Sequence, residues 1–207
     1  MAKKKLPRFE LKINPSTNAI VSAMALVEDP AMESNFLSFN KNFIEEAFAT
    51  SDEMLELIGA AMIPNKVIYR RNEKTGEEYE VFFSKDTIRE IAQQYFKQGF
   101  QNQMNLHHSA TPAKSYIFQS YIVDNAKGIP SPKGVNVVDG SWIVGVKVED
   151  ADVWKDIKAG KVQGFSIEGL FEYSDEQFSK EDNNVDDILK ELIQQMNTIT
   201  NRIKNTK

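Results

Sequence analysis

"GSWIVGVKVEDADVWKDIKAGKVQGFSIEGLF", Gly140 to Phe171, decides the fold class. Trp142, Val144, Val146 and Val148 alternate with their neighbours, the period-two pattern of a half-buried strand. The period then changes. "DADVWKDIKAG" has the spacing of a short helix that stops at Gly160, and "VQGFSIEGLFEY" returns to an extended apolar run. Strand, short helix and strand in so few residues predict an α+β chain that is mainly β.

Upstream segments agree. "FELKINPSTNAIVSAMALVEDPAM" reads as a strand, a turn at Asn14-Pro15-Ser16, and a second strand that ends before Pro30. A short amphipathic "NKNFIEEAF" follows. Gly59 and Pro64 make "EMLELIGAAMIPNKV" a strand and a turn rather than one helix. "VIYRRNEKTGEEYEVFFS" has the form of a hairpin, with Lys74-Thr75-Gly76 at its turn. Ser84 is placed as the N-cap of the clearest helix, with Ile88, Ile91, Ala92 and Tyr95 as its apolar stripe and Gly99 as its stop. "QMNLHHS" and "SYIFQSYIVD" are expected as strands joined around Pro112, and "AKGIPSPKGVNVVDG" as a loop.

Composition narrows the function. Of 207 residues, 41% are hydrophobic and 27% charged, enough apolar material for a sizeable core. Net charge is −5 and the basic residues are dispersed apart from Lys3-Lys4-Lys5, so no nucleic-acid partner is expected. The absence of cysteine excludes disulfides, thiolate nucleophiles and Cys-based metal sites, and is compatible with a reducing cytoplasm. No apolar run approaches the roughly 18 residues of a membrane span, so neither membrane association nor a signal peptide is expected.

Three segments follow from the pattern: a domain over 1–173, a polar linker over 174–184, and a C-terminal helix over 185–207. In the helix Val185, Leu189, Leu192, Met196, Ile199 and Ile203 form an a/d seam. So short a seam needs a partner. Either it docks on its own domain or it makes a homo-oligomer.

The two histidines of the chain, His107 and His108, are adjacent in "NLHHSATP". In a strand, neighbouring side chains point to opposite faces, so the pair is a poor metal site, and no metal or other cofactor is expected. Neither G-x-G-x-x-G between strand and helix nor a P-loop is present. Acyl transfer remains, with Ser166 between Gly164 and Gly169 in "GFSIEGLF" as the candidate nucleophile. Those glycines either leave room for a substrate backbone or mark bulges. The segment is not a G-x-S-x-G elbow, since Glu168 stands where the second glycine would be. On such grounds alone a serine and a distant histidine are more often structural than catalytic.

"ALVEDPAM", "AAMIPNKVIYR", "EVFFSKDTIREIAQQY", "NLHH", "SYIVD" and the whole Gly140–Phe171 block occur in an order and spacing that resembles the phage serine proteases grouped with the prohead (capsid-maturation) proteases, relatives of herpesvirus assemblin. The likeness covers most of residues 10 to 173. It implies an assemblin-like β-barrel with flanking helices, Ser166 as nucleophile, and a histidine of an "N-x-x-H" segment as general base. Asn105 takes the Asn place, His107 a place that is commonly acidic, and His108 the catalytic place. Strand alternation would send His107 away from Ser166 if His108 faces it.

For the third member, relatives often carry an acidic residue where this chain has Gln119. A neutral amide can hold the imidazole's tautomer but cannot stabilise an imidazolium by charge. Glu168, two residues from Ser166 and so on the same strand face, is the other candidate. The resemblance further implies a serine endopeptidase that processes scaffold and capsid precursor proteins, and itself, inside the immature phage head in the host cytoplasm. The alternative is a catalytically inactive relative acting as an internal scaffold or capsid-associated structural protein.

Overall fold

The structure, a computed structural model, describes residues 6–32, 37–38 and 54–174. The chain divides into two compact units, Met1–Tyr173 and Ser174–Lys207. The expected linker, the heptad helix and the amphipathic "NKNFIEEAF" lie outside the described residues.

The first unit contains eleven described strands and two α-helices. In chain order these are β1 (Arg8–Lys12), β2 (Val21–Val27), β3 (Leu37–Ser38), β4 (Glu56–Met62), β5 (Ile68–Arg71), β6 (Glu78–Phe82), α1 (Lys85–Lys97), β7 (Met104–Leu106), β8 (Ser115–Ile122), β9 (Trp142–Val148), α2 (Ala151–Lys158), β10 (Gly164–Gly169) and β11 (Glu172–Tyr173). They form three sheets, ordered β11-β1-β6-β5, β10-β2-β7 and β3-β4-β9-β8. The molecule is mainly β, as expected, but these strands do not close into a barrel. Each of the three sheets has two ends.

Both helices begin and end where their sequences direct. Ser84 accepts a hydrogen bond from the Thr87 N–H at the start of α1, and Gly99, at φ 77°, follows its last turn. Asp150 caps α2 by accepting from the Asp152 and Val153 N–H groups, and Gly160, at φ 73°, stops it. Their apolar stripes, Ile88, Ile91, Ala92 and Tyr95 on α1 and Val153, Trp154 and Ile157 on α2, are buried. The expected hairpin is β5 and β6, paired antiparallel, with Gly76 at φ 75° in its turn.

One expectation about the deciding block fails. β9 is covered on both faces rather than half-buried: Trp142, Val144, Val146 and Val148 enter the main core while Ile143 packs with Ile58, Ala60, Val123 and Val135. The physical reason is the loop before it, which brings Val135 over the outer face. Trp142 lies edge-on to Tyr95 at 5.6 Å and donates its indole N–H to Ser120 Oγ at 2.8 Å, so α1 is tied to the centre of this sheet. Burying side chains of this size stabilises by roughly 1.5–3 kcal/mol each.

Candidate active site

The three-stranded sheet builds the site. Ser166 on β10 is opposite Ala25 on the central β2, and Ala25 is opposite Asn105 on β7; Glu168 is opposite Ala23. Paired residues project on one face, so Ser166, Ala25 and Asn105 form a row and Glu168 stands in the next. The two alanines leave room over the central strand. Longer side chains from the outer strands meet there: Asn105 Nδ2 donates to Glu168 Oε1, and His108 Nδ1 lies 3.1 Å from that same oxygen.

His108 reaches Glu168 from a turn. β7 ends at Leu106, and His107 and His108 follow with φ of 51° and 56°. The Ser109 N–H donates to the Leu106 carbonyl at 2.9 Å, giving the pattern of a type I′ turn with the histidines at its two central positions. Asn and Gly ordinarily occupy such positions, and an L-residue with a β-carbon costs roughly 1 kcal/mol there. The turn is pinned by bonds from His107 N–H to the Leu26 carbonyl (3.0 Å) and from Leu106 N–H to the Thr111 carbonyl (3.1 Å). This overturns the expectation that strand alternation separates the two rings, because neither histidine is in a strand. The turn separates them instead, with His107 exposed and His108 at the carboxylate.

His108 Nδ1 faces the carboxylate at ion-pair distance; a neutral ring that carries its proton there has its lone pair on Nε2. Ser166 is 7% exposed, and its hydroxyl has no hydrogen-bond partner among the described residues. The imidazole and the hydroxyl are therefore not bonded to each other. Gln119 is elsewhere: it is exposed on β8, in a different sheet, opposite Gly145 of β9. Of the two candidates for the third member, Glu168 is the one that meets His108.

Ser166 and Glu168 line a cleft of about 540 Å³ between β10 and one face of the β11-β1-β6-β5 sheet. Leu11, Ile68, Val81, Phe83 and Phe165 make its lining largely apolar, and Arg70, Tyr79 and Tyr173 add polar groups. The Tyr79 and Tyr173 hydroxyls are 3.1 Å apart, and that hydrogen bond, with burial, pushes the Tyr173 phenol up to about 12. The phenol of the buried Tyr95 is raised by burial and then by the charge of Glu168. The two glycines around Ser166 are not both there for a substrate. β10 shifts register at Glu168/Gly169, and a β-carbon on Gly169 would meet the Ile20 carbonyl and come within 2.8 Å of Val21 Cα. Gly169 is thus required by the bulge.

Sequence reasoning placed Asn105 in a motif but gave it no role. It holds Glu168, and its own Oδ1 is buried without a partner among the described residues. The signal was an asparagine three residues before the histidine at the end of an alternating run. No group of three or more metal-ligating side chains exists among the described residues, and none of their helices is long and apolar enough to cross a membrane.

A family model described as "Putative phage serine protease XkdF" matches residues 40–175, well over half of the chain. No curated protein and no solved structure matches it. The chain belongs to that phage serine protease family.

Proposed function

We propose that this member of the phage serine protease family is an endopeptidase in which Ser166 is the nucleophile, His108 the general base and Glu168 the residue that orients and charges the imidazole. The observation that carries it is the His108–Glu168–Asn105 chain of contacts on the same sheet face as Ser166, with Ser166 in the wall of a cleft. His108 Nε2 takes the Ser166 proton as Oγ attacks a peptide carbonyl; the amine leaves with that proton, and water hydrolyses the acyl-enzyme. The absent Ser166–His108 hydrogen bond forms when substrate fills the cleft, as such bonds commonly tighten only in the complex.

The strand register supports one oxyanion donor. β2 uses Met24 and Leu26 to bond β7, through Met24 N–H to the Gln103 carbonyl and His107 N–H to the Leu26 carbonyl. Ala23 and Ala25 therefore serve β10, and the N–H of Ile167, the residue after the nucleophile, points to the other side of β10.

In this reading the substrates are scaffold and capsid precursor segments within the immature phage head, in the host cytoplasm, and the chain itself. Kinship with assemblin belongs to the same reading and rests on the sequence blocks. The 185–207 seam then serves self-association or pairing with scaffold helices. A second reading, an inactive structural relative, is favoured by the unbonded Ser166 hydroxyl. Mass spectrometry of the protein co-expressed with its scaffold separates the two: Ser166-dependent cleavage supports the protease, and identical processing by Ser166→Ala excludes this mechanism.

A further inference from the structure

We infer that Arg70 is a specificity-determining residue, selecting peptide segments that present a carboxylate at one fixed position from the scissile bond within an otherwise apolar stretch. The inference rests on the endopeptidase reading of the cleft and names its substrate class.

The wall that faces β10 is set by cross-strand pairing. Ile68 is opposite Val81 and Arg70 opposite Tyr79, so all four project on one sheet face. Ile68 and Val81 are buried there, which makes it the inner face, and Arg70 stands two residues further along it. Among the described residues lining the cleft Arg70 is the one cation and Glu168 the one anion. Glu168 is engaged by His108 and Asn105. Arg70 is not matched: one N–H of its guanidinium donates to the Tyr69 carbonyl at 3.0 Å, and it has no carboxylate partner among the described residues.

The acids nearest in sequence register cannot serve it. Glu78 and Glu80 lie on the opposite face of β6 from Tyr79, where Glu80 is bonded by Arg8 at 2.6 Å and Glu78 accepts from the Tyr69 hydroxyl at 2.7 Å. An arginine on that outer face is paired, while the one facing the cleft is not. A guanidinium fork with open N–H donors beside apolar walls matches a carboxylate in two-point geometry, and matches a backbone carbonyl or a cation poorly. An extended peptide that fills the apolar lining therefore gains from an Asp or Glu side chain, or from its own C-terminal carboxylate, at the Arg70 end.

The test uses the full-length chain and a pool of random peptides, half with amidated and half with free C-termini. Binding is read by retention on the Ser166→Ala protein, and cleavage by sequencing of new termini from the wild type, each repeated with Arg70→Glu and Arg70→Lys added. Expected are Asp and Glu enriched at one position among retained and cleaved peptides, a loss of about 10- to 100-fold for the best acidic peptide with Arg70→Glu, and partial retention with Arg70→Lys. The loss is in KM, with fluorophosphonate labelling of Ser166 unchanged. Enrichment in amidated peptides assigns the carboxylate to a side chain; enrichment confined to free C-termini assigns it to the terminus. Ser166-dependent cleavage without positional enrichment, or enrichment that survives Arg70→Glu, overturns the inference and leaves the endopeptidase standing. Enriched retention without cleavage sinks the endopeptidase and leaves Arg70 as a carboxylate reader.

Discussion

Replacing Glu168 by Gln removes one charge and almost no volume. The oxygen of the introduced amide can still accept from His108 Nδ1, and Asn105, whose Oδ1 has no partner among the described residues, can turn its own amide to accept from the new NH₂. The fold is therefore retained while the imidazolium formed during attack loses its counter-charge. The contact is 3.1 Å, but the two side chains are 43% and 31% exposed, so solvent screens it well below the value for a buried pair. A screened, partly exposed pair of this kind is worth about 0.5–1 kcal/mol, or about 2- to 5-fold in kcat/KM. The assay is the rate of fluorophosphonate labelling at Ser166 together with peptide kcat/KM, for Glu168→Gln, His108→Ala and the double variant. If Glu168 acts through His108, it adds nothing further once His108 is gone. Wild-type rates for Glu168→Gln, or losses that multiply in the double variant, refute the assignment; a slow Gln119→Ala with a normal Glu168→Gln would return the third role to Gln119.

Other outcomes follow from the same structure. His107→Gly relieves a positive φ without touching the carboxylate, so urea unfolding should show a gain of about 0.5–1 kcal/mol with activity kept. Gly169→Ala drives a β-carbon into the Ile20–Val21 backbone and should lower stability by about 2 kcal/mol or more, whereas a β-carbon on Gly99 meets nothing within 4 Å and Gly99→Ala carries only the smaller φ penalty. Glu172 accepts from Thr17 and Asn14, and these bonds hold its carboxyl below the usual range. A depressed folded value gives stabilisation that is present above the unfolded value and lost as pH falls through the folded one. Wild type should therefore lose more stability than Glu172→Gln between about pH 5 and 3, read by chemical denaturation.

Local structure was legible because its causes are local. Ser84 and Gly99 bound α1 through a cap and a left-handed stop, Gly160 stops α2, and Gly76 closes its hairpin. Pairing was not legible. β1 lies parallel to β6 and β2 parallel to β7, partners chosen by the packing of whole faces rather than by any neighbour in sequence. That is why β9 was expected to be half-buried: nothing in "SWIVGVKVED" announces Val135 above it.

The candidate site divides in the same way. Ser166 and Glu168 share a face by the two-residue period alone. Gln119 could not be separated from Glu168 without knowing that β8 and β10 belong to different sheets. His108 was preferred through the likeness of "NLHH" to an N-x-x-H segment, with strand alternation in support; the strand ends before it, and the turn that does place it depends on backbone bonds to Leu26 and Thr111 that no pattern of side chains encodes.

The most direct measurement is the labelling of Ser166 by a fluorophosphonate, located by peptide mapping, in wild type, His107→Ala and His108→Ala. The account predicts labelling at Ser166 in wild type and His107→Ala and a fall of about 10²-fold or more in His108→Ala, since general-base assistance is typically worth that much. A wild-type Ser166 that does not react, or one that reacts equally well without His108, contradicts it.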